Sequence, residues 1–182
     1  MAKTIVFLAV NASYSHANLA EWYLQGYADP SEWTWHTVEF ANGEELHPAL
    51  AQVVRLQPDV LATTVYLFNR ALVFSFLRRF KALCPKTAVI AGGPEFLGDN
   101  RRLFAEDPCV GLVARGEGEL AFAEWLRHFE DHDRWTSIAG LCGQYKGRYL
   151  DNGMAKMVED LDEIPSPYIR RLPGFRKPFV QL

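Results

Sequence analysis

A joint that occurs three times constrains the fold of this chain more than any other feature of its sequence. Gln57-Pro58-Asp59, Cys84-Pro85-Lys86 and Asp107-Pro108-Cys109 each stand directly before a short apolar run. Proline ends a preceding helix and favours an extended entry into the next element. Each joint therefore predicts a helix followed by a strand, and together they predict a repeated βα unit.

The apolar runs are too short for helices and are predicted as β-strands. They are Thr4 to Val10, Thr34 to Phe40, Val60 to Tyr66, Thr87 to Ala91 and Val110 to Ala114. Between them, apolar residues recur at helical spacing within residues 46–54, 72–83 and 122–129. Nearly continuous apolar strands that alternate with helices are typical of a parallel sheet covered on both faces. We predict an α/β three-layer sandwich with a central five-stranded parallel sheet.

The pattern changes after the fifth predicted strand. Ile138 to Cys142 and Gln144 to Leu150 are predicted to form a short hairpin that turns near Gly143 or Gly147. A stretch with acidic residues and two prolines follows, which favours a linker. We therefore divide the chain into an α/β domain (1–134), a peripheral hairpin extension (135–159) and a linker (160–182). The apolar run at the end of this stretch, Phe175 to Leu182, is typical of a fragment that continues into another domain.

Composition excludes several classes of partner. The 19 basic and 22 acidic residues are scattered along the chain and give a net charge of -3, so no cationic stripe favours nucleic acid. The first apolar run is too short for a signal peptide or a membrane helix, so we expect a cytoplasmic protein without membrane contact. Cys84, Cys109 and Cys142 are odd in number and far apart, which favours buried thiols over disulfides or a metal cluster.

Ligands of open parallel sheets bind at the carboxyl ends of the strands, so the loops there are the candidate site. Gly92-Gly93 after the fourth strand serves either a tight turn or the close approach of a bulky ligand. Gly116-Glu117-Gly118-Glu119 after the fifth opens a helix whose amides favour an anion, but its glutamates oppose a phosphate. These glutamates could instead cap the helix or bind hydroxyl groups of a ribose.

Missing motifs exclude four common functions. No Gly-x-Gly-x-x-Gly follows the first strand and no phosphate-binding loop with lysine occurs, which argues against dinucleotide binding and nucleotide hydrolysis. No Gly-x-Ser-x-Gly is present, and Asn11 stands where a receiver domain needs aspartate, which argues against a hydrolase and a response regulator. His16 is the one histidine predicted at a strand's carboxyl end; it is either functional or a turn residue.

Four motifs in order along the chain carry a resemblance to a known family. They are Asn11 to Ala20, Gly92-Gly93-Pro94-Glu95, Gly116-Glu117-Gly118-Glu119 and Asp160 to Pro167. This set resembles the amino-terminal cobalamin-binding domain of radical S-adenosylmethionine (SAM) enzymes. The resemblance implies a flavodoxin-like (Rossmann-like) sheet that binds cobalamin. It also implies a following catalytic domain that holds a [4Fe–4S] cluster and SAM and acts as a methyltransferase or an Fe–S oxidoreductase.

The resemblance also implies the roles of the loop residues. The corrin ring would lie over the carboxyl ends of the strands, and its nucleotide tail would enter beside the loops. Three groups of cofactor-binding residues follow: Asn11, Ser13, Tyr14 and His16 below the corrin; Thr64, Tyr66, Gly92, Gly93, Pro94 and Glu95 along the tail; and Gly116, Glu117 and Gly118 at the rim. We expect Gly93→Leu to block binding with little loss of stability.

The first loop departs from the Asp-x-His-x-x-Gly motif of many cobalamin domains, in which the histidine binds cobalt. The matching positions here are Asn11, Ser13 and His16. Either cobalt has no protein ligand on its lower face, or Tyr14 or His16 approaches it in another geometry. Two other hypotheses stay open: a degenerate module that has a structural or interaction role without cofactor, and a flavin- or nucleotide-binding domain of the same topology.

Overall fold

One mixed sheet organises the protein, for which a computed structural model describes residues 2–13, 18–160, 162, 164 and 166. Within these residues the sheet has seven strands in the order β2-β1-β3-β4-β5-β6-β7. The strands are β1 (Lys3–Asn11), β2 (Trp33–Ala41), β3 (Val60–Thr64), β4 (Ala88–Gly92), β5 (Leu112–Ala114), β6 (Leu141–Tyr145) and β7 (Arg148–Asp151).

The first five strands are all parallel, which confirms the predicted α/β fold with a five-stranded parallel part. Their order reverses between β1 and β3, because β2 lies on one side of β1 and the later strands lie on the other. Crossovers on the two sides of this point run in opposite directions and leave a crevice at the carboxyl ends of the strands. The fold therefore places the ligand crevice beside β1 and β3.

The hairpin is not peripheral, which corrects the sequence-based expectation of a five-stranded sheet. Strand β6 pairs antiparallel with β5, and β7 pairs with β6, so the sheet has seven strands. Gly143 lies within β6 opposite Leu112. The turn is made by Lys146 and Gly147, both at positive φ, which confirms the second of the two predicted turn positions. The hairpin joins the sheet through the pairing of β6 with β5, which links residues far apart in the chain and which local sequence patterns do not reveal.

Helices cover both faces of the sheet, as predicted. They are α1 (Leu19–Gln25), α2 (Leu46–Leu56), α3 (Arg70–Leu83), α4 (Arg101–Glu106) and α5 (Gly118–Arg127). The periodicity predicted α2, α3 and α5. It did not predict α1 and α4, because helices of seven and six residues are too short to show an apolar stripe.

Strand β1 divides the core into two layers, because successive residues of a strand point to opposite faces. Val6, Leu8 and Val10 pack on the side of α2, α3 and α4. Ile5, Phe7 and Ala9 pack on the side of α1 and α5. All six side chains are at most 2% exposed, so β1 is the centre of the molecule.

Three further findings bear on function. None of the described helices is long and apolar enough to cross a membrane. Among the same residues, no group of three or more histidine, cysteine or acidic side chains is placed to hold a metal ion. All three cysteines are free, and burial raises the pKa of the Cys109 thiol to about 12, which keeps it protonated and unreactive.

If the hairpin belongs to the cooperative core, shortening Leu141 will destabilise the whole protein. Leu141 is fully buried in the layer of α1 and α5, so we expect Leu141→Ala to lower the free energy of unfolding by about 2–5 kcal/mol. The matched Leu150→Ala on β7, where the side chain is half-buried, should cost less. Urea denaturation followed by tryptophan fluorescence measures both; an unchanged main transition in Leu141→Ala would mean that the hairpin is an independent appendage.

Candidate functional site

A cavity of about 210 Å³ opens at the carboxyl ends of β3, β4 and β5, on the sheet face that α1 and α5 cover. We call it the edge cavity. Phe7 of β1, Ala62 of β3 and Ile90 of β4 form its floor, and Leu24 of α1 and Phe122 of α5 form its walls. These five side chains are hydrocarbon, so the deep part of the edge cavity is apolar.

Small residues on neighbouring strands create this space. Gly92 and Ala114 lie opposite each other at the ends of β4 and β5, and Ala62 lies within β3 opposite Ile90. Ala20 lines the same cavity from α1, whereas Ile90 and Phe122 beside these small residues are large. A cavity in a core costs stability, so a run of small residues across three adjacent strands favours a binding role.

The structure brings seven of the predicted site residues together around the edge cavity. These are Thr64, Tyr66, Gly92, Gly93, Gly116, Glu117 and Gly118. Glu119 joins them at the mouth. Asn11, Ser13, Pro94 and Glu95 do not line the edge cavity, and Tyr14 and His16 lie outside the described residues. The loops after β3, β4 and β5 therefore converge, as parallel topology requires.

Asn11 and Glu95 contact residues away from the edge cavity. The amide of Asn11 is buried and donates a hydrogen bond to Glu39 on β2. The carboxylate of Glu95 lies 3.2 Å from the guanidinium of Arg70 on α3, on the other side of the sheet. The one-turn helix Pro94–Phe96 turns Phe96 into that opposite core layer. Both side chains therefore have structural partners.

The two adjacent glycines serve different purposes. Gly93 has φ of 111°, and a Cβ there would lie 2.5 Å from the carbonyl oxygen of Val65. Gly92 has no positive φ, and its Cβ would meet nothing closer than the carbonyl oxygen of Ala114 at 3.8 Å. Gly93 thus makes the tight turn, whereas Gly92 leaves space for a ligand. The expectation that Gly93→Leu leaves stability intact is therefore wrong.

Glu117 connects the mouth of the edge cavity to the chain that follows the hairpin. Its carboxylate accepts a hydrogen bond of 2.9 Å from the amide of Val158. The amide of Ala155 also donates to the carbonyl of Arg115 at 2.8 Å. Glu117 occupies the N-cap position of α5, but its side chain makes no capping hydrogen bond. Of the predicted roles for this glutamate, capping is contradicted.

Asn69 is a positioning residue that the sequence did not reveal. It is fully buried, and its Nδ2 donates to the carbonyls of Val10 at 3.0 Å and Thr64 at 3.3 Å. Its Oδ1 accepts from the amide of Tyr66 at 2.8 Å. One carboxamide therefore joins the ends of β1 and β3 and fixes the turn that carries Tyr66. An asparagine directly before a helix predicts an N-cap, but this side chain makes no such bond.

Helix α1 is attached to the site by two side chains that sequence patterns also missed. Asn18 caps α1 by accepting from the amide of Glu21 at 3.3 Å, and its Nδ2 donates to Thr64 Oγ1 at 3.2 Å. Glu21 is buried and accepts hydrogen bonds from the Trp35 indole, at 3.3 Å, and from the Thr37 hydroxyl on β2. Burial raises the pKa of Glu21, and these hydrogen bonds oppose the rise.

The fold and the edge cavity define a flavodoxin-like α/β domain with a mostly apolar cavity at its carboxyl edge. No protein-family model matches the chain. Among curated proteins it is 28% identical to the cobalamin-dependent radical SAM methyltransferase TokK of Streptomyces tokunonensis, over 92% of this chain and 25% of that protein. It is 33% identical to the 2-(S-pantetheinyl)-carbapenam-3-carboxylate methyltransferase of Streptantibioticus cattleyicolor, over 62% of this chain and 17% of that protein.

Solved structures of radical SAM enzymes contain a domain with this fold. The cobalamin-dependent SAM radical enzyme OxsB, with aqua-cobalamin and SAM bound, aligns with a TM-score of 0.74 at 16% identity, over 91% of this chain and 24% of that one. The radical SAM methyltransferase TsrM of Kitasatospora setae, with cobalamin and a [4Fe–4S] cluster bound, aligns with a TM-score of 0.69 at 14% identity, over 91% and 31%. The match to TokK over most of this chain, together with this shared fold, confirms the resemblance to cobalamin-dependent radical SAM enzymes.

Alanine substitutions at Gly92 and Gly93 should have different effects on the stability of the protein. We expect Gly93→Ala to lower the free energy of unfolding by about 1–3 kcal/mol, because its Cβ would overlap the Val65 carbonyl at positive φ. Gly92→Ala should cause no loss, or a gain of up to about 1 kcal/mol, because alanine suits a strand better than glycine. Urea denaturation of both variants measures the difference, and equal stabilities would contradict the geometry.

Glu21→Gln should stabilise the protein at neutral pH. Because burial raises the pKa of Glu21, the folded state favours the protonated carboxyl. The stability that this preference contributes is present below the ordinary value of 4.5 and is lost as the pH rises through the folded-state pKa. Glutamine keeps the acceptor without the charge, so the variant should be more stable than the wild type at pH 7 and not at pH 4. Urea denaturation at both values checks this, with the exposed Glu32→Gln as the control.

Proposed function

We propose that this chain binds cobalamin and orients it for a radical SAM catalytic domain. The edge cavity carries the proposal, because it is an apolar space at the carboxyl edge next to the β1/β3 reversal, where ligands of this topology bind. The similarity to TokK and the fold shared with OxsB and TsrM support it. Like other cofactor domains, this one would contribute binding and orientation.

The residues of the edge cavity fit the nucleotide tail of cobalamin. An apolar cavity of about 150 Å³ is enough to hold benzene, so 210 Å³ leaves room for a fused aromatic base. Gly92 gives this base a way in without a side chain across it. The carboxylates of Glu117 and Glu119 at the mouth are acceptors suited to hydroxyl groups such as those of the tail's ribose.

The corrin ring has a matching surface beside the mouth. Tyr66 and Phe68 stack with their ring centroids 5.6 Å apart, and Leu67 between them is 84% exposed. Leu97 after β4 is 49% exposed. Exposed apolar side chains grouped at one edge indicate a binding surface, and a flat macrocycle is a suitable partner for stacked rings.

The cobalt of the bound corrinoid would supply the group-transfer chemistry. The residues of this chain would hold the macrocycle and its tail and exclude water from the apolar floor. The ligand on the lower face of cobalt stays a prediction: either no protein residue, or Tyr14 or His16 of the first loop. Asn11 and Ser13, which begin that loop, stay proposed as residues below the corrin.

The activity of the whole protein is also a proposal. The chain spans about a quarter of the length of TokK and of OxsB. We propose that its own carboxyl-terminal radical SAM domain holds the [4Fe–4S] cluster and SAM and transfers a methyl group in the cytoplasm. Residues 1–134, 135–159 and 160–182 stay the proposed division of the chain, although 161, 163, 165 and 167–182 lie outside the described residues.

Retention of hydroxocobalamin tests the proposal. The chain is incubated with the cofactor and passed through gel filtration, and we expect a protein peak with one equivalent of corrinoid by its visible spectrum. Gly92→Leu should weaken binding by about tenfold or more, because its side chain would occupy the edge cavity.

Gly98→Leu is the matched control, because a Cβ there meets open space outside the edge cavity. It should bind like the wild type. A colourless peak for both this chain and the full-length protein would refute the proposal and favour a degenerate structural module. A yellow protein as purified would favour a flavin instead.

A further inference from the structure

The polarity of the edge cavity changes from floor to mouth. Its floor and walls are hydrocarbon, as described above. Strands β3 and β4 are each paired on both sides, so their backbone amides and carbonyls are used within the sheet. Among the described residues, the deep part of the edge cavity therefore offers no hydrogen-bonding partner to a ligand.

The two threonine hydroxyl groups that line the edge cavity each make a hydrogen bond within the protein. Thr63 donates its hydroxyl to the carbonyl of Leu8 at 2.9 Å, and Thr64 Oγ1 accepts from Asn18 at 3.2 Å. The acidic acceptors, Glu117 and Glu119, lie at the mouth. A ligand group that passes these threonines to the floor meets hydrocarbon and is favoured when it is apolar, whereas a group that stays at the mouth can carry hydroxyls.

We propose that the edge cavity selects among cobamides by the chemistry of their lower base, accepting benzimidazoles and rejecting purines. This inference rests on the proposed function. Both kinds of base are fused aromatic rings of similar size, so volume does not distinguish them. A methylated benzimidazole presents a hydrocarbon edge to the floor, whereas a purine presents ring nitrogens and, in adenine, an amino group. These polar atoms lose their hydrogen bonds to water and gain none at Ala62, Ile90 and Phe122.

The expected preference is large enough to measure. Each buried polar group without a partner weakens binding by about fivefold to a hundredfold. We therefore expect the chain to bind a dimethylbenzimidazole cobamide at least about tenfold more tightly than an adenine cobamide. Cobinamide, which has the corrin ring but no nucleotide tail, should bind more weakly than the benzimidazole form.

Dissociation constants of these three corrinoids, measured by calorimetry or by visible absorption, test the inference. No binding of any of them would refute the proposed function itself. Equal affinity for the two cobamides, with weaker binding of cobinamide, would refute only the selectivity. Equal affinity for all three would show that the tail stays outside the edge cavity, which would overturn the inference and leave the corrin surface intact.

A polar substitution in the floor should relax the selectivity. Ala62→Ser introduces one hydroxyl where the base would lie, so the preference for the benzimidazole cobamide should fall by about threefold or more. Ala9→Ser is the matched control, because Ala9 is buried in the same core layer on β1 but does not line the edge cavity. It should keep the wild-type preference. An unchanged preference in Ala62→Ser would place the base elsewhere.

Discussion

The carboxamide of Asn69 is the contact on which the functional edge depends. Strands β1 and β3 part at their carboxyl ends, because the strand order reverses between them. A carbonyl at this parting has no neighbouring strand to pair with, and a buried carbonyl without a partner is costly. Asn69 satisfies the carbonyls of Val10 and Thr64 and holds the amide of Tyr66. One side chain thus connects the carboxyl ends of β1 and β3 and positions the turn that carries Tyr66 beside the edge cavity.

The same edge shows a compromise between stability and binding. Stability alone favours large apolar side chains at every inward position, because burial of each contributes about 1.5–3 kcal/mol. Ile90 and Phe122 follow this rule within the α1/α5 layer, and the opposite layer follows it along α3. Gly92 and Ala114 depart from it at paired positions at the ends of β4 and β5, and Ala62 departs from it within β3, opposite Ile90. All three small residues border the edge cavity, which favours a ligand as the cause of the departure.

The sequence predicted what depends on local periodicity and missed what depends on distant partners. The five parallel strands and the three longer helices follow from their apolar patterns. The pairing of β6 with β5 and the bonds of Asn69 join residues far apart in the chain, and no local pattern encodes them. Gly92 and Gly93 show the same limit within a site. Both were predicted there, but only the position of Val65 assigns the turn to Gly93 and the ligand space to Gly92.

The loop after β5 lines the mouth of the edge cavity and also contacts residues 154–158, which follow the hairpin. Arg115 and Glu117 accept hydrogen bonds from Ala155 and Val158, and Met154 packs 3.3 Å from where a Cβ of Gly116 would lie. A ligand that displaces Glu117 must therefore break its hydrogen bond to Val158. Because Glu117 both lines the mouth and bonds Val158, a ligand that moves this carboxylate would also change a contact of the segment after the hairpin.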